Sequence, residues 1–144
     1  MGKTHIACAL AKKACREGIT VSYIRAPRLY HDLAIAKADG SYSRLMGRLG
    51  RTRLVLIDDF GLAPMNDSDR RNFLEVVEDR HLTGSTIVTS QLPLENWHET
   101  IGDPTLADAI LDRLVHNAHK IALKGESMRR KRSGLTKIEQ CEKH

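Results

Sequence analysis

Two adjacent carboxylates, Asp58 and Asp59, follow the apolar run Leu54-Val55-Leu56-Ile57 and precede a turn at Phe60-Gly61. Acids at the end of a buried strand suit phosphoryl chemistry: the first holds the Mg²⁺ of a nucleoside triphosphate, and the second orients or deprotonates water. This is the Walker B arrangement. It needs a phosphate loop to serve it, and Gly2-Lys3-Thr4 matches the last three positions of G-x-x-x-x-G-K-[ST]. In that motif the lysine reaches the β and γ phosphates and the hydroxyl ligates Mg²⁺.

These groups must be delivered to one place by the elements around them. A continuous apolar run fits a strand buried on both faces of a parallel sheet, whose carboxyl end is where open α/β sheets bind ligands. Residues His5 to Glu17 put Ile6, Ala7, Leu10, Ala11 and Ala14 on one helical stripe, so the lysine and threonine open a helix whose amides face the phosphate. Ile19 to Ile24 reads as a second strand. Ala26-Pro27 starts a helix that runs to Gly40, and a short helix from Ser43 to Leu49 carries Arg44 and Arg48, with Arg51 and Arg53 beyond it. These arginines either track phosphate or line a wet face. After the loop Gly61-Leu62-Ala63-Pro64, Asp67 or Ser68 caps a helix that turns Phe73, Leu74, Val76 and Val77 inward. Ser85 to Ser90 forms another short buried strand, and its polar tip, Ser90-Gln91, falls beside the acids as a γ-phosphate sensor. Trp97 lies on a short helix as a core or interface residue. Asp103-Pro104 begins a helix with Leu106, Ile110, Leu111 and Leu114 on its apolar side and Arg113 next to that stripe. Ile121-Ala122-Leu123 reads as a last strand and Gly125 as a turn.

Composition narrows the function classes. At 144 residues the chain fits one α/β domain with a real core. No apolar run approaches the ~20 residues of a membrane span and no leader precedes the first helix, so a cytoplasmic protein without a membrane partner is expected. Cys8, Cys15 and Cys141 form no C-x-x-C pair, and the seven histidines never cluster with cysteines at ligand spacing, so protein ligands alone imply no metal site. Charge is unevenly placed: residues 1–119 carry 15 Lys or Arg against 15 Asp or Glu, while residues 120–144 carry 8 against 3. The excess fits an anionic partner, most often nucleic acid, or a solvated tail.

Taken together the motifs resemble one family, the IstB-like transposition helper ATPases of the AAA+ class, relatives of the DnaC-type helicase loaders. The resemblance rests on Gly2-Lys3-Thr4-His5, Asp58-Asp59-Phe60-Gly61, Ser90-Gln91 with Pro93 and Trp97, the run from Leu106 to Leu114, and Gly125-Glu126-Ser127-Met128-Arg129. It implies a three-layer P-loop NTPase fold, a parallel sheet with helices on both faces, in which residues 1–132 form a partial AAA+ domain and 133–144 a basic, weakly ordered tail. It implies ATP and Mg²⁺ as cofactors, with Gly2, Lys3, Thr4 and Asp58 binding the nucleotide and Thr4 and Asp58 the metal. Catalysis would fall to Asp59, to Ser90 or Gln91 as first sensor, and to Arg113 as a finger reaching a neighbouring subunit's γ-phosphate. Arg129, Arg130, Lys131 and Arg132 would meet DNA. The implied partners are double-stranded DNA, a cognate transposase and further copies of the chain. Helicase loading is the alternative, and a DNA-binding remnant without catalysis a third. Relatives place a strand and a glycine-rich loop before Gly-Lys-Thr, so an amino-terminally truncated form is expected here, with weakened nucleotide affinity and stability.

Overall fold

The computed structural model describes residues 2–124. Three strands, β1 (Val21–Arg25), β2 (Leu54–Phe60) and β3 (Ser85–Ser90), form a parallel sheet in the order β1-β2-β3. Every connection therefore crosses over a face, through α2 (Ala26–Asp39) and α3 (Tyr42–Arg51) between β1 and β2, and through α4 (Asp67–Arg80) between β2 and β3. Helix α1 (Lys3–Arg16) precedes the sheet, and α5 (Trp97–Ile101) and α6 (Pro104–Val115) follow it.

The period-two alternation of β2 divides the molecule. Val55 and Ile57 point into the larger core, with Leu33 of α2, Leu49 of α3, Phe73 and Val76 of α4 and Ile110 of α6. Leu54 and Leu56 point the other way, onto Ala7 and Ala11 of α1. Helices thus cover both faces, and the expected α/β layering holds. Phe73 anchors the large core, its ring 5.7 Å from Phe60 and 5.8 Å from Tyr30.

Four local expectations need correction. Helix α1 faces the sheet with its alanines alone; Ile6 and Leu10 are 41% and 50% exposed, because the buried stripe centres on Ala7 and Ala11, whose small side chains let the helix lie close to the strands. Strand β2 continues through both acids to Phe60, three residues past the apolar run. The cap of α4 is Asn66, whose side chain accepts from the Asp69 N–H while Asp69 accepts from the Asn66 N–H, a reciprocal capping box. Asp67 and Ser68 are already inside the helix. Ile121-Ala122-Leu123 is not a strand: no described strand lies alongside it, and Ile121 is 70% exposed. The 132/133 boundary, Gly125, Cys141 and the basic residues 129–132 lie outside the described residues.

Candidate nucleotide site

A regular strand would send Asp58 and Asp59 to opposite faces of the sheet. Asp58 is in phase with Leu54 and Leu56 and emerges on the face covered by α1. Asp59 would follow Ile57 to the other side, but its backbone adopts φ 59°, the left-handed region, and the pairing of β2 with β3 slips between Ile57 and Phe60. The break turns Asp59 back towards the α1 face, where it meets Arg25. Asp tolerates this conformation better than most residues. The next turn is made by Gly61 at φ 86°, where an added Cβ would come within 2.7 Å of the Leu92 side chain.

Helix α1 presents its amino end to the same corner. Gly2 sits at φ 59°, a conformation glycine adopts freely, and starts the helix directly at Lys3. The Thr4 hydroxyl lies 3.0 Å from Asp58 Oδ1 and 3.3 Å from Oδ2, straddling the carboxylate edge. Lys3 Nζ donates to the Ser90 carbonyl at 2.7 Å. The groups expected to handle triphosphate and metal, Lys3, Thr4 and Asp58, are therefore brought together, and Asp59 stands beside them.

The same register explains three residues that the sequence reading missed. Tyr23 and Arg25 of β1 share the α1 face: the Tyr23 hydroxyl donates to Asp58 Oδ2 at 2.6 Å, and Arg25 binds Asp59 Oδ2 through Nε at 3.0 Å and Nη2 at 2.9 Å. Thr89 of β3, in phase with Ile87, donates to Asp58 Oδ1 and accepts the Asp59 N–H at 3.1 Å. Ser90 falls on the opposite face. Its hydroxyl donates to the Phe60 carbonyl at 2.6 Å and accepts the Leu92 N–H, so its side chain fixes the strand tip and only its carbonyl faces the site. The sequence offers Ser90 or Gln91 as the sensor at this strand tip; the β3 side chain that reaches Asp58 is Thr89. Counting by twos from Ile87 would have found it. Gln91 lies just past the strand, exposed.

Asp58 is 2% exposed, yet among the described residues no cationic side chain contacts it. Burial pushes its carboxyl up, but the hydrogen bonds from Thr89, Tyr23, Thr4 and the Asp59 N–H outweigh that and leave it below the usual carboxylate range. The Tyr23 hydroxyl is pushed up to about 12 by its bond to Asp58, with burial and the neighbouring negative charges adding to it. Among the described residues no three His, Cys, Asp or Glu side chains converge to hold a metal. One buried carboxylate with a hydroxyl beside it fits a hard cation that brings its remaining oxygens on phosphate and water, the coordination that Mg²⁺ favours.

Arg113 of α6 lies elsewhere, with Nη2 3.4 Å from Glu78 of α4 and Nη1 on the Ala109 carbonyl. Trp97 is core, its ring 4.8 Å from Phe60 and its indole N–H donating to the Leu92 carbonyl. Arg44, Arg48, Arg51 and Arg53 are exposed.

This corner gathers the groups that a nucleotide site uses. Residues 1–136 match the profile of the IstB-like ATP binding proteins. The chain belongs to that family. The IstB-like chain is 57% identical over 130 residues to the insertion sequence ATP-binding protein y4pL of Sinorhizobium fredii, covering 90% of this chain and 53% of that one. It is 38% identical over 141 residues to the IS21 ATP-binding protein of Pseudomonas aeruginosa, covering 95% and 53%. It thus spans about half the length of these curated relatives. Among solved structures, the DnaC helicase loader superposes with a TM-score of 0.66 at 20% identity, covering 78% of this chain and 68% of that one. The replication initiator DnaA bound to AMPPCP and single-stranded DNA gives 0.65 at 18%, covering 76% and 34%. At such identities the likeness shows the fold, which is that of AAA+ P-loop proteins. Among the described residues no helix is long and apolar enough to cross a membrane.

Proposed function

We propose that this IstB-like chain is the ATP-dependent, DNA-binding helper of an insertion-sequence transposition system, hydrolysing ATP where subunits meet. The observation that carries the reading is the convergence of Lys3, Thr4 and Asp58 at the carboxyl end of the central strand. Lys3 would exchange the Ser90 carbonyl for the β and γ phosphates, a gain because a charged acceptor bonds an ammonium more strongly than a carbonyl does. Thr4 and Asp58 would hold Mg²⁺, whose chemistry is to neutralise charge on the transferring phosphoryl group. Asp59 would orient the attacking water once Arg25 yields it, and Thr89 would fix Asp58 and the Asp59 backbone as first sensor. The Arg25 pair is solvent-exposed on the arginine side, so giving it up costs about 1 kcal/mol or less.

Arg113 fits the finger supplied to a neighbouring copy. It is partly exposed and, among the described residues, held by the partly exposed Glu78 and by the Ala109 carbonyl of its own helix, so it can be released to a second site. Such a finger contributes a thousandfold or more in rate, on the order of 4 kcal/mol. Duplex DNA would be bound through phosphate, which gives affinity without sequence reading. A transposase is the protein partner of this proposal, supported by the named relatives' place in insertion sequences.

The test is assembly on duplex DNA followed with and without Mg·ATP. The expected result is nucleotide-stimulated assembly, weakened by Asp58→Asn, and retained without hydrolysis in Arg113→Ala. Salt-sensitive DNA binding that ATP leaves unchanged would replace this reading with a DNA-binding protein that uses no nucleotide.

A further inference from the structure

We propose that Tyr23 is a positioning residue for the divalent ion, holding Asp58 so that one edge of its carboxylate faces Thr4; this rests on the nucleotide reading above. A carboxylate has about four lone-pair sites. Here three hydroxyls address them. The hydroxyls arrive from three directions. Tyr23, on β1, takes Oδ2 at 2.6 Å. Thr89, on β3, takes Oδ1. The strands flanking β2 thus grip one oxygen each.

Thr4 is the third donor and differs from the other two. It bridges both oxygens at the longer distances of 3.0 and 3.3 Å, so it marks the side of the carboxylate that is held least tightly. It is also the hydroxyl that the phosphate-loop motif assigns to the metal. An ion arriving beside Thr4 therefore replaces the weakest of the three bonds, while Tyr23 and Thr89 keep the carboxylate from rotating about its last bond. Tyr23 is 48% exposed, too wet to be explained as core packing, and its hydroxyl is spent on Asp58. Outer-shell partners of metal ligands commonly change metal affinity 10- to 100-fold.

The experiment titrates Mg²⁺ at fixed fluorescent ATP analogue with the full chain, and measures analogue binding in EDTA. Tyr23→Phe should raise the half-saturating Mg²⁺ concentration by about 10- to 100-fold and leave binding in EDTA unchanged. Thr89→Val should shift the Mg²⁺ midpoint in the same direction and Thr89→Ser should restore it. In Asp58→Asn, adding Tyr23→Phe should change nothing further. A purely structural tyrosine would lower the melting temperature and leave the Mg²⁺ midpoint alone. An unchanged midpoint in Tyr23→Phe overturns the inference while the nucleotide reading survives. Equal weakening with and without Mg²⁺ overturns it too, because the phenol would then contact nucleotide. If the wild-type chain binds the analogue with no response to Mg²⁺, the nucleotide reading fails and this role falls with it.

Discussion

The two ends of the sheet each bury one charge without a counter-ion, and they do it with different materials. At the carboxyl end, Asp58 is surrounded by hydroxyls from α1, β1 and β3. At the amino end, Arg80 is 3% exposed, and its guanidinium donates to the carbonyls of Leu49, Thr52, Arg53 and Ser85 and to the Thr86 hydroxyl. No carboxylate contacts it among the described residues. Burial lowers its pKa, though a guanidinium keeps its charge in proteins. Backbone carbonyls are fixed by the fold, so Arg80 ties the ends of α3 and α4 to the starts of β2 and β3 and cannot be traded away. Hydroxyls rotate. The Asp58 end can hand its bonds to a ligand, and the Arg80 end cannot.

Substitutions can break that contrast. Arg80→Met should have the largest effect on stability: several buried carbonyls lose their donor, each costing ~1 to 3 kcal/mol, so a loss of about 3 kcal/mol or more is expected in urea unfolding. Nucleotide response at the far end should survive in whatever fraction stays folded. Asp58→Asn should cost less stability, about 1 to 2 kcal/mol, because an amide can accept on only one of its two atoms, yet it should weaken the Mg·ATP response. Acid unfolding reports on the same carboxylate. The folded-state value of Asp58 lies below the ordinary 3.8, so its stabilisation is present above that value and is lost as pH falls through the folded one. Melting temperature plotted against pH should therefore fall less steeply on the acid side in Asp58→Asn than in wild type.

Gly84→Ala probes the Arg80 end more gently. A methyl there would approach Arg80 Nη2 to 2.7 Å, and the guanidinium must shift off its carbonyls. A loss of about 1 kcal/mol by thermal melting is expected, and no change in nucleotide binding. The smallest effect belongs to Asp59→Gly, which removes left-handed strain of about 1 kcal/mol and the exposed Arg25 pair together. Its melting temperature should stay within a few degrees of wild type while hydrolysis is lost. A large destabilisation would mean that Asp59 is part of the scaffold, and the proposed division between the ends would blur.

The two ends were not equally legible in the sequence. Lys3, Thr4, Asp58 and Asp59 announce themselves by type and spacing, and the apolar run before the acids locates their strand. Tyr23, Arg25 and Thr89 carry no motif; they join the site only because three strands lie side by side in one phase. The slip between Ile57 and Phe60 hides Thr89 further, since it sets one residue of β3 opposite two of β2. Helical period alone sends Arg80 outward with Glu75 and Asp79, and a buried guanidinium satisfied by carbonyls leaves no partner acid to find. On α1, Ile6 and Leu10 looked like the buried stripe by size, whereas the helix lies too close to the strands for anything larger than alanine.

The Lys3 ammonium resting on the Ser90 carbonyl makes a latch across the site. An anion that drew the ammonium away would free the Ser90 carbonyl just before the chain runs through Leu92 and the Trp97 anchor to α5 and α6, while the Ser90 hydroxyl keeps the strand tip in place.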